Sequence, residues 1–238
     1  MAATMQTELA RIQCGGVKVE GMLEIPADPV GLVLFAHGSG SSRLSPRNNY
    51  VAAALRQSRI GTLLMDLLTP GEDEDERSRF DIALLTDRLG TAVDWLQRHE
   101  STASLPLALF GASTGAAAAL QVAARRPDDI VAVVSRGGRP DMAGLPVLKK
   151  VITPTLLIVG GRDVAIIDLN EIALAALNCD KRMEIIPDAG HLFEEPGKLA
   201  KVASLASSWF IRHMPSPEED VNGHMKKAAH EPAGKRLP

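Results

Sequence analysis

The sequence predicts an α/β fold: a mostly parallel central sheet with helices on both faces. Three observations carry this. Short apolar runs bounded by glycine or proline alternate with amphipathic stretches, and strand followed by helix, repeated, is the pattern of a parallel sheet covered on both sides. The connections between these stretches are near the short lengths usual for α/β units, which leaves no place for a second domain or an inserted helical cap. A length of 238 residues suits one large domain with a substantial buried core.

The elements follow in chain order. Residues 17–25 and 30–36 (VGLVLFA) predict an opening strand pair joined by the turn Pro26-Ala-Asp-Pro29. Residues 46–56 predict a helix begun by Ser45 with Pro46 in its first turn. Residues 60–66 (IGTLLMD) are a strand, and 79–99 one long helix with Phe80, Leu84, Leu85, Leu89, Val93 and Leu96 at helical spacing. Residues 105–110 (LPLALF) are a fully buried strand, and 114–126 the helix after it. Strands at 130–135 (IVAVVS) and 154–160 (PTLLIVG), a helix at 169–177, a strand at 182–187 and a last helix at 196–213 complete the pattern. Between Ser135 and Pro154 there is length only for a loop and one short helix, so no cap fits there.

The domain is expected at 17–213, after an N-terminal extension of residues 1–16. From Met214 the chain turns polar and proline-bearing, and 214–238 reads as a flexible tail without a core of its own. Twenty-six basic against 29 acidic side chains give a net charge of −3. That offers no broad cationic surface to nucleic acid or anionic lipid. The first residues, MAATMQTELARIQCGG, lack the basic start and apolar centre of a secretory signal, and no apolar run approaches the ~20 residues of a membrane helix. A cytoplasmic protein with no nucleic-acid or membrane partner is expected. Cys14 and Cys179 offer neither a disulfide framework nor metal-ligand spacing, and read as free thiols. The acidic run Glu72 to Glu76 lacks the glycine and spaced carboxylates of a calcium loop. It reads as a solvated loop leading into a helix start, where negative charge is favourable. Neither a metal nor a cofactor is expected.

The chemistry concentrates at Phe110-Gly-Ala-Ser-Thr-Gly-Ala-Ala-Ala-Ala119. Gly-x-Ser-x-Gly between a buried strand and a helix matches a nucleophile elbow, in which strained backbone exposes the serine oxygen and glycines remove colliding side chains. A phosphate loop needs a lysine after its last glycine, and none follows Gly115. His37-Gly-Ser-Gly40 does not continue into a dinucleotide fingerprint. Serine is a weak nucleophile, so a base must take its proton and an acid must orient that base. Asp163 in VGGRD and His191 in PDAGHLFEE each follow a predicted strand, in the order serine, acid, histidine. Asp168 is the second candidate acid, though more naturally a helix cap. An oxyanion hole is assigned to the backbone N–H groups of Thr114 and Ser39, with Gly40 the alternative to Ser39. His37, Gly38 and Gly40 in the same loop, and Arg43, Arg47 and Arg136 near the presumed rim, are candidate substrate contacts. Arginine suits an anionic group through its planar fork.

With these residues placed, the chain resembles the α/β-hydrolase superfamily, and more narrowly its dienelactone-hydrolase-like branch. The stretches FAHGSGSSRLSPRN, LLMDLLTPGEDEDE, FGASTGAAAAL, VVSRGGRPD, LLIVGGRD and AGHLFEEPG carry the resemblance, over residues 17–213. It implies a cofactor-free hydrolase of small esters or lactones that uses a nucleophile, a histidine and an aspartate. One departure bears on substrate: Ser113 stands where dienelactone hydrolases carry cysteine, which favours a serine esterase. A thioesterase, acyltransferase or peptidase would use the same triad, and a binding module could keep the fold without the chemistry. A second copy of the chain, as in a homodimer, is left open as a wall of the site.

Overall fold

A computed structural model of the chain describes residues 5–214. The strands are β1 (Gln6–Cys14), β2 (Val17–Ile25), β3 (Gly31–Ala36), β4 (Ile60–Met65), β5 (Leu107–Ala112), β6 (Ile130–Arg136), β7 (Thr155–Gly160) and β8 (Lys181–Ile186). They form one eight-stranded sheet in the order β1-β2-β4-β3-β5-β6-β7-β8. From β4 to β8 every neighbouring pair is parallel, and the β1–β2 hairpin closes one edge by antiparallel pairing of β2 with β4.

The burial of each strand follows from its neighbours. β3, β4, β5 and β7 are buried at every residue, as their uninterrupted apolar sequences require when helices lie on both sides. β1 and β2 instead alternate buried and exposed residues, the signature of a half-covered antiparallel edge.

The helices are α1 (Pro46–Gln57), α2 (Pro70–Asp73), α3 (Glu76–Phe80), α4 (Ile82–Arg98), α5 (Thr114–Arg125), α6 (Leu145–Leu148), α7 (Val164–Ala176) and α8 (Lys198–His213). Residues of α4, α5 and α7, such as Leu89, Leu120 and Ala173, join one apolar core. Val51 and Leu55 of α1 and Val202, Ala206 and Phe210 of α8 join the other. As expected, Ser45 caps α1 by accepting from the Asn48 N–H, with Pro46 at its first position. The β6–β7 connection carries only a 3-10 turn at Pro140–Ala143 and the single-turn α6. No inserted cap rises there, and the described residues form one minimal domain.

The structure corrects several expectations. Residues 6–14 are no extension: they form edge strand β1, paired along its whole length with β2, and bury Ala10, Ile12 and Cys14. β2 does not pair with β3, because β4 lies between them. The helix expected at 79–99 is two helices. Asp81 ends α3 and caps α4 by accepting from the Leu84 N–H, the local competition with helical backbone that aspartate favours. Phe80 is consequently outside the core, 43% exposed. Within the acidic run, Glu72 completes a capping box with Thr69 and pairs with Arg88 at 2.7 Å, while Asp75 caps α3. α7 starts at Val164, so Asp168 sits exposed inside it and caps nothing. Met214 is buried in the α1/α8 core rather than beginning a tail. The rest of the expected tail, 215–238, lies outside the described residues.

Candidate active site

The ends of β3, β5, β6, β7 and β8 lead into loops at the carboxyl edge of the sheet, where sites of open α/β folds form. Ser113 joins β5 to α5 with φ +49° and ψ −120°, a conformation that a side-chain-bearing residue adopts only at a cost of order 1–3 kcal/mol. Its hydroxyl does not cap α5, so the serine oxygen is not spent on the helix it precedes. The flanking glycines are sterically required. A Cβ on Gly111 would lie 2.4 Å from the Ala116 Cα, and one on Gly115 would lie 2.2 Å from the Ala36 carbonyl oxygen.

Asp163 ends the β7 loop at the N-cap of α7, yet its side chain makes no cap hydrogen bond. Its Oδ2 instead accepts from His191 Nδ1 at 2.6 Å. A carboxylate only accepts, so Nδ1 carries the proton, leaving the lone pair on Nε2 to take one. The His191 side chain is 38% exposed and that of Asp163 17%, which leaves the base open to solvent and its orienting acid mostly covered. Gly137, next after β6, adjoins His191. A Cβ there would sit 3.5 Å from His191 Nδ1, and the preceding Arg136 carbonyl accepts from the Ser113 N–H at 3.3 Å. Ser113 and His191 therefore border adjacent residues at the end of β6.

The histidine loop is pinned at several points that sequence reading missed. Asp188 and Phe193, on either side of His191, have φ of +57° and +58°. Phe193 is buried in the α1/α8 core, which holds the strained turn in place. The Glu195 carboxylate accepts from the Gly190 N–H at 2.9 Å. Backbone hydrogen bonds, its own N–H and that of Gly190, hold its carboxyl below the usual range. Glu195 lies four residues past His191 in EEPG, a signal weaker than any motif.

The loop after β3 faces the elbow through Gly38, where a Cβ would come within 2.9 Å of Ser113 Cβ. Ser39 and Gly40 are exposed. Thr114 is buried at the first position of α5, where a helix N–H has no intrahelical acceptor. His37, a candidate substrate contact, has both ring nitrogens engaged by backbone. Its Nε2 accepts from the Leu67 N–H at 2.9 Å and its Nδ1 donates to the Gly38 carbonyl at 2.9 Å, so both nitrogens hold the loop to the segment after β4. Burial pushes its pKa down, in keeping with a neutral ring. Arg43 is likewise committed elsewhere. Its guanidinium pairs with Asp66 and with Glu20, the latter at 2.7 Å, tying the loop to β2 and the end of β4.

Arg47 and Arg136 remain near the site. Arg47 lies in the first turn of α1 and reaches Glu194 at 2.7 Å. Arg136 ends β6, is 7% exposed, and contacts Asn48 Oδ1 at 3.5 Å. Burial, then repulsion from Arg47, lowers its pKa to about 10. None of the helices among the described residues is long and apolar enough to cross a membrane.

Comparison with known proteins agrees with this architecture. The alpha/beta hydrolase domain family matches residues 29–206. Dienelactone hydrolase from Anabaena variabilis is 54% identical and superposes with a TM-score of 0.85, over 89% of this chain and 99% of that one. A lidless α/β serine hydrolase of Xanthomonas campestris shares the fold at a TM-score of 0.73 and 19% identity, covering 89% and 96% of the two chains. A Mycobacterium tuberculosis (H37Rv) protein that carries the name phosphoribosyl transferase is 51% identical over 213 residues, 90% of this chain but 48% of its own length. The chain thus spans about half of that relative. The hydrolases and esterases among its structural neighbours support hydrolase activity, and with the family match over three quarters of its length the chain belongs to the α/β-hydrolase family, where it is dienelactone-hydrolase-like.

Proposed function

We propose that the protein is a serine hydrolase that cleaves small carboxylic esters or lactones through an acyl-enzyme on Ser113. The observation that carries this is the 2.6 Å Asp163–His191 bond beside a serine held at positive φ. An oriented neutral imidazole can take the Ser113 proton as its oxygen attacks the carbonyl. It then returns that proton to the leaving alkoxide, and water repeats the cycle to release the acid. The developing oxyanion is assigned to the N–H of Thr114 and that of Ser39, with Gly40 as the alternative. The exposure of Ser39 and Gly40 keeps their amides accessible, and His37 fixes the loop that bears them. The chemistry needs no cofactor.

The phosphoribosyl transferase name borne by the mycobacterial relative belongs to a chain twice as long. The elbow and acid–histidine pair suit acyl transfer, so that activity is not carried to this chain.

The test is labelling with an organophosphonate ester. The reagent should modify one residue, Ser113, and Ser113→Ala should abolish both labelling and ester turnover while the protein stays folded. Turnover above a tenth of wild type in that variant would sink the assignment, since loss of the nucleophile in subtilisin costs on the order of a million-fold.

A further inference from the structure

β8 is an open edge of the sheet. Its register with β7 runs from Thr155–Lys181 to Gly160–Ile186, and among the described residues no strand lies on its other side. Two bonds fix the direction of its backbone groups. The Thr155 N–H donates to the Asp180 carbonyl and the Gly161 N–H to that of Ile186, so the even-numbered residues of β8 turn their N–H and C=O toward β7. Alternate residues of a strand turn theirs the other way, which directs those of Lys181, Met183 and Ile185 out along the edge. The side chains divide likewise: Met183 packs against the core on the α7 side, whereas Ile186 joins the α1/α8 core. The neighbouring helix is under-buried for its composition. α7, VAIIDLNEIALAA, has only Asp168 and Glu171 as charged residues, yet just Asn170 and Ala173 are buried. A helix this apolar is ordinarily enclosed. Here Ile172 of α7 is 55% exposed and Ile185 of β8 45%.

Charged side chains on an edge strand ordinarily repel an incoming strand. On β8 their order makes them attract a second copy of the same strand. In two-fold antiparallel pairing centred on Met183, Lys181 exchanges backbone hydrogen bonds with Ile185 of the second copy, and Met183 with its own counterpart. Arg182 then falls opposite Glu184 of the second copy, twice by symmetry, at the non-hydrogen-bonded positions where side chains come closest. Moving the centre by one residue sets Arg182 against Arg182 or Glu184 against Glu184, so the charges select one register. The other edge has no such match: on β1, Glu8 and Arg11 point to opposite faces, and symmetry never sets them opposite each other. We propose that β8 is a homodimer interface, at which two copies of the chain join their sheets edge to edge about a two-fold axis through Met183. That axis stands normal to the sheet. The two α7 helices therefore lie on one face, flanking the seam, where apolar side chains leave water. The interface does not depend on the hydrolase chemistry proposed above.

Sedimentation equilibrium of the full chain tests this. Wild type should sediment at twice the mass of the chain and dissociate on dilution. Glu184→Arg and Arg182→Glu each set like charges opposite one another at two symmetric positions. Each should raise the dissociation constant about ten-fold or more, since every such pair turns from attraction to repulsion. An equimolar mixture of the two variants should recover wild-type assembly, because each cation of one chain then faces an anion of the other. Neither variant can restore the Arg182–Glu184 pair within its own strand, so recovery on mixing reads the contact between chains alone. Ile185→Pro probes the backbone. The Ile185 N–H points away from β7, so proline costs the β7 ladder no donor but removes one from the seam. It should abolish the dimer while thermal unfolding stays near wild type, and it keeps the test available if a charge variant fails to fold. A wild-type monomer at every concentration, or a dimer indifferent to all three substitutions, would overturn the interface. Two monomeric charge variants that fail to assemble on mixing would overturn the pairing centred on Met183, and the proposal with it.

Discussion

Gly115→Ala should destabilise the protein even though the same substitution in most helices does the reverse. Alanine is favoured over glycine by about 1 kcal/mol in a helix interior, and Gly115 lies within α5. Here that gain meets a hard wall. The new Cβ would stand 2.2 Å from the Ala36 carbonyl oxygen and 2.5 Å from that of His37, both far short of the 3.4 Å at which ordinary contact begins. Both obstacles are backbone, so no rotamer change relieves them, and α5 must back away from the end of β3. Overpacking of this kind costs typically 1–3 kcal/mol. The net loss should therefore reach up to about 2 kcal/mol, or several degrees in Tm at 2–4 °C per kcal/mol for a domain of this size. The functional effect should be larger. The retreat moves Ser113 and Thr114 from the loop at Gly38, and misplacement by about 1 Å can cost on the order of a hundred-fold in rate. Gly90→Ala is the matched control: it lies inside α4 with nothing within 4 Å of its added Cβ, and should raise Tm by about 2–4 °C. Thermal and chemical unfolding of the two variants, with kcat on a short-chain ester, checks both. A Gly115→Ala protein with wild-type Tm and kcat would refute the claim that β3 and the elbow meet this closely.

Asp163→Asn should lower kcat by about four orders of magnitude, as the tautomer-inverting substitution does in trypsin-like triads, while Asp168→Asn, exposed within α7, should leave it near wild type; steady-state kinetics giving the opposite ranking would move the acid to Asp168. Stability should depend on pH through His37. Its folded pKa lies below the ordinary 6.5 because of burial, so between these values the unfolded chain holds more protons. Stability is then full above about pH 6.5 and falls as pH drops, by up to about 1.4 kcal/mol per unit for one proton. Urea titrations across pH 5–7 should show a shallower slope for His37→Gln than for wild type. Acyl chains of about two to four carbons should give the highest kcat/KM, with no activation at a lipid interface. No cap covers the site among the described residues, and each methylene left in water forgoes about 0.8 kcal/mol. A chain-length series peaking at eight carbons or more would contradict this.

Much of the fold was legible because its signals are local. The buried parallel strands announce themselves as uninterrupted apolar runs, and Ser45-Pro46 marks the start of α1 by chemistry confined to one turn. The errors arose where a local signal is weak or the answer is set at a distance. Residues 6–14 alternate polar and apolar residues with only Ala10, Ile12 and Cys14 turned inward, a pattern too faint to distinguish an edge strand from an extension. That β4 separates β2 from β3 is a matter of sheet order, which no single strand encodes. Asp81 looked like one polar residue on a helical face, whereas its side chain takes the Leu84 N–H and divides the helix.

The candidate site divides along the same line. Ser113, Asp163 and His191 could be placed on one edge because each follows a strand, and strand ends are readable. The roles of the histidine and arginines around them could not, because those roles depend on partners far away in sequence. His37, Arg43, Arg47 and Arg136 look equally suited to an anion. What distinguishes them is whether the folded chain has already supplied an acceptor or counter-charge. His37 spends both nitrogens on backbone, one of them at Leu67, and Arg43 is neutralised by Asp66 and Glu20. Arg47 is held by the exposed Glu194, 147 residues away, and Arg136 by no carboxylate among the described residues. A fully paired arginine fixes a loop at little electrostatic cost, whereas an unpaired buried one carries an unmet charge that folding alone does not relieve. That unmet charge, which no local signal at the end of β6 announces, separates Arg136 from the arginines that hold the scaffold.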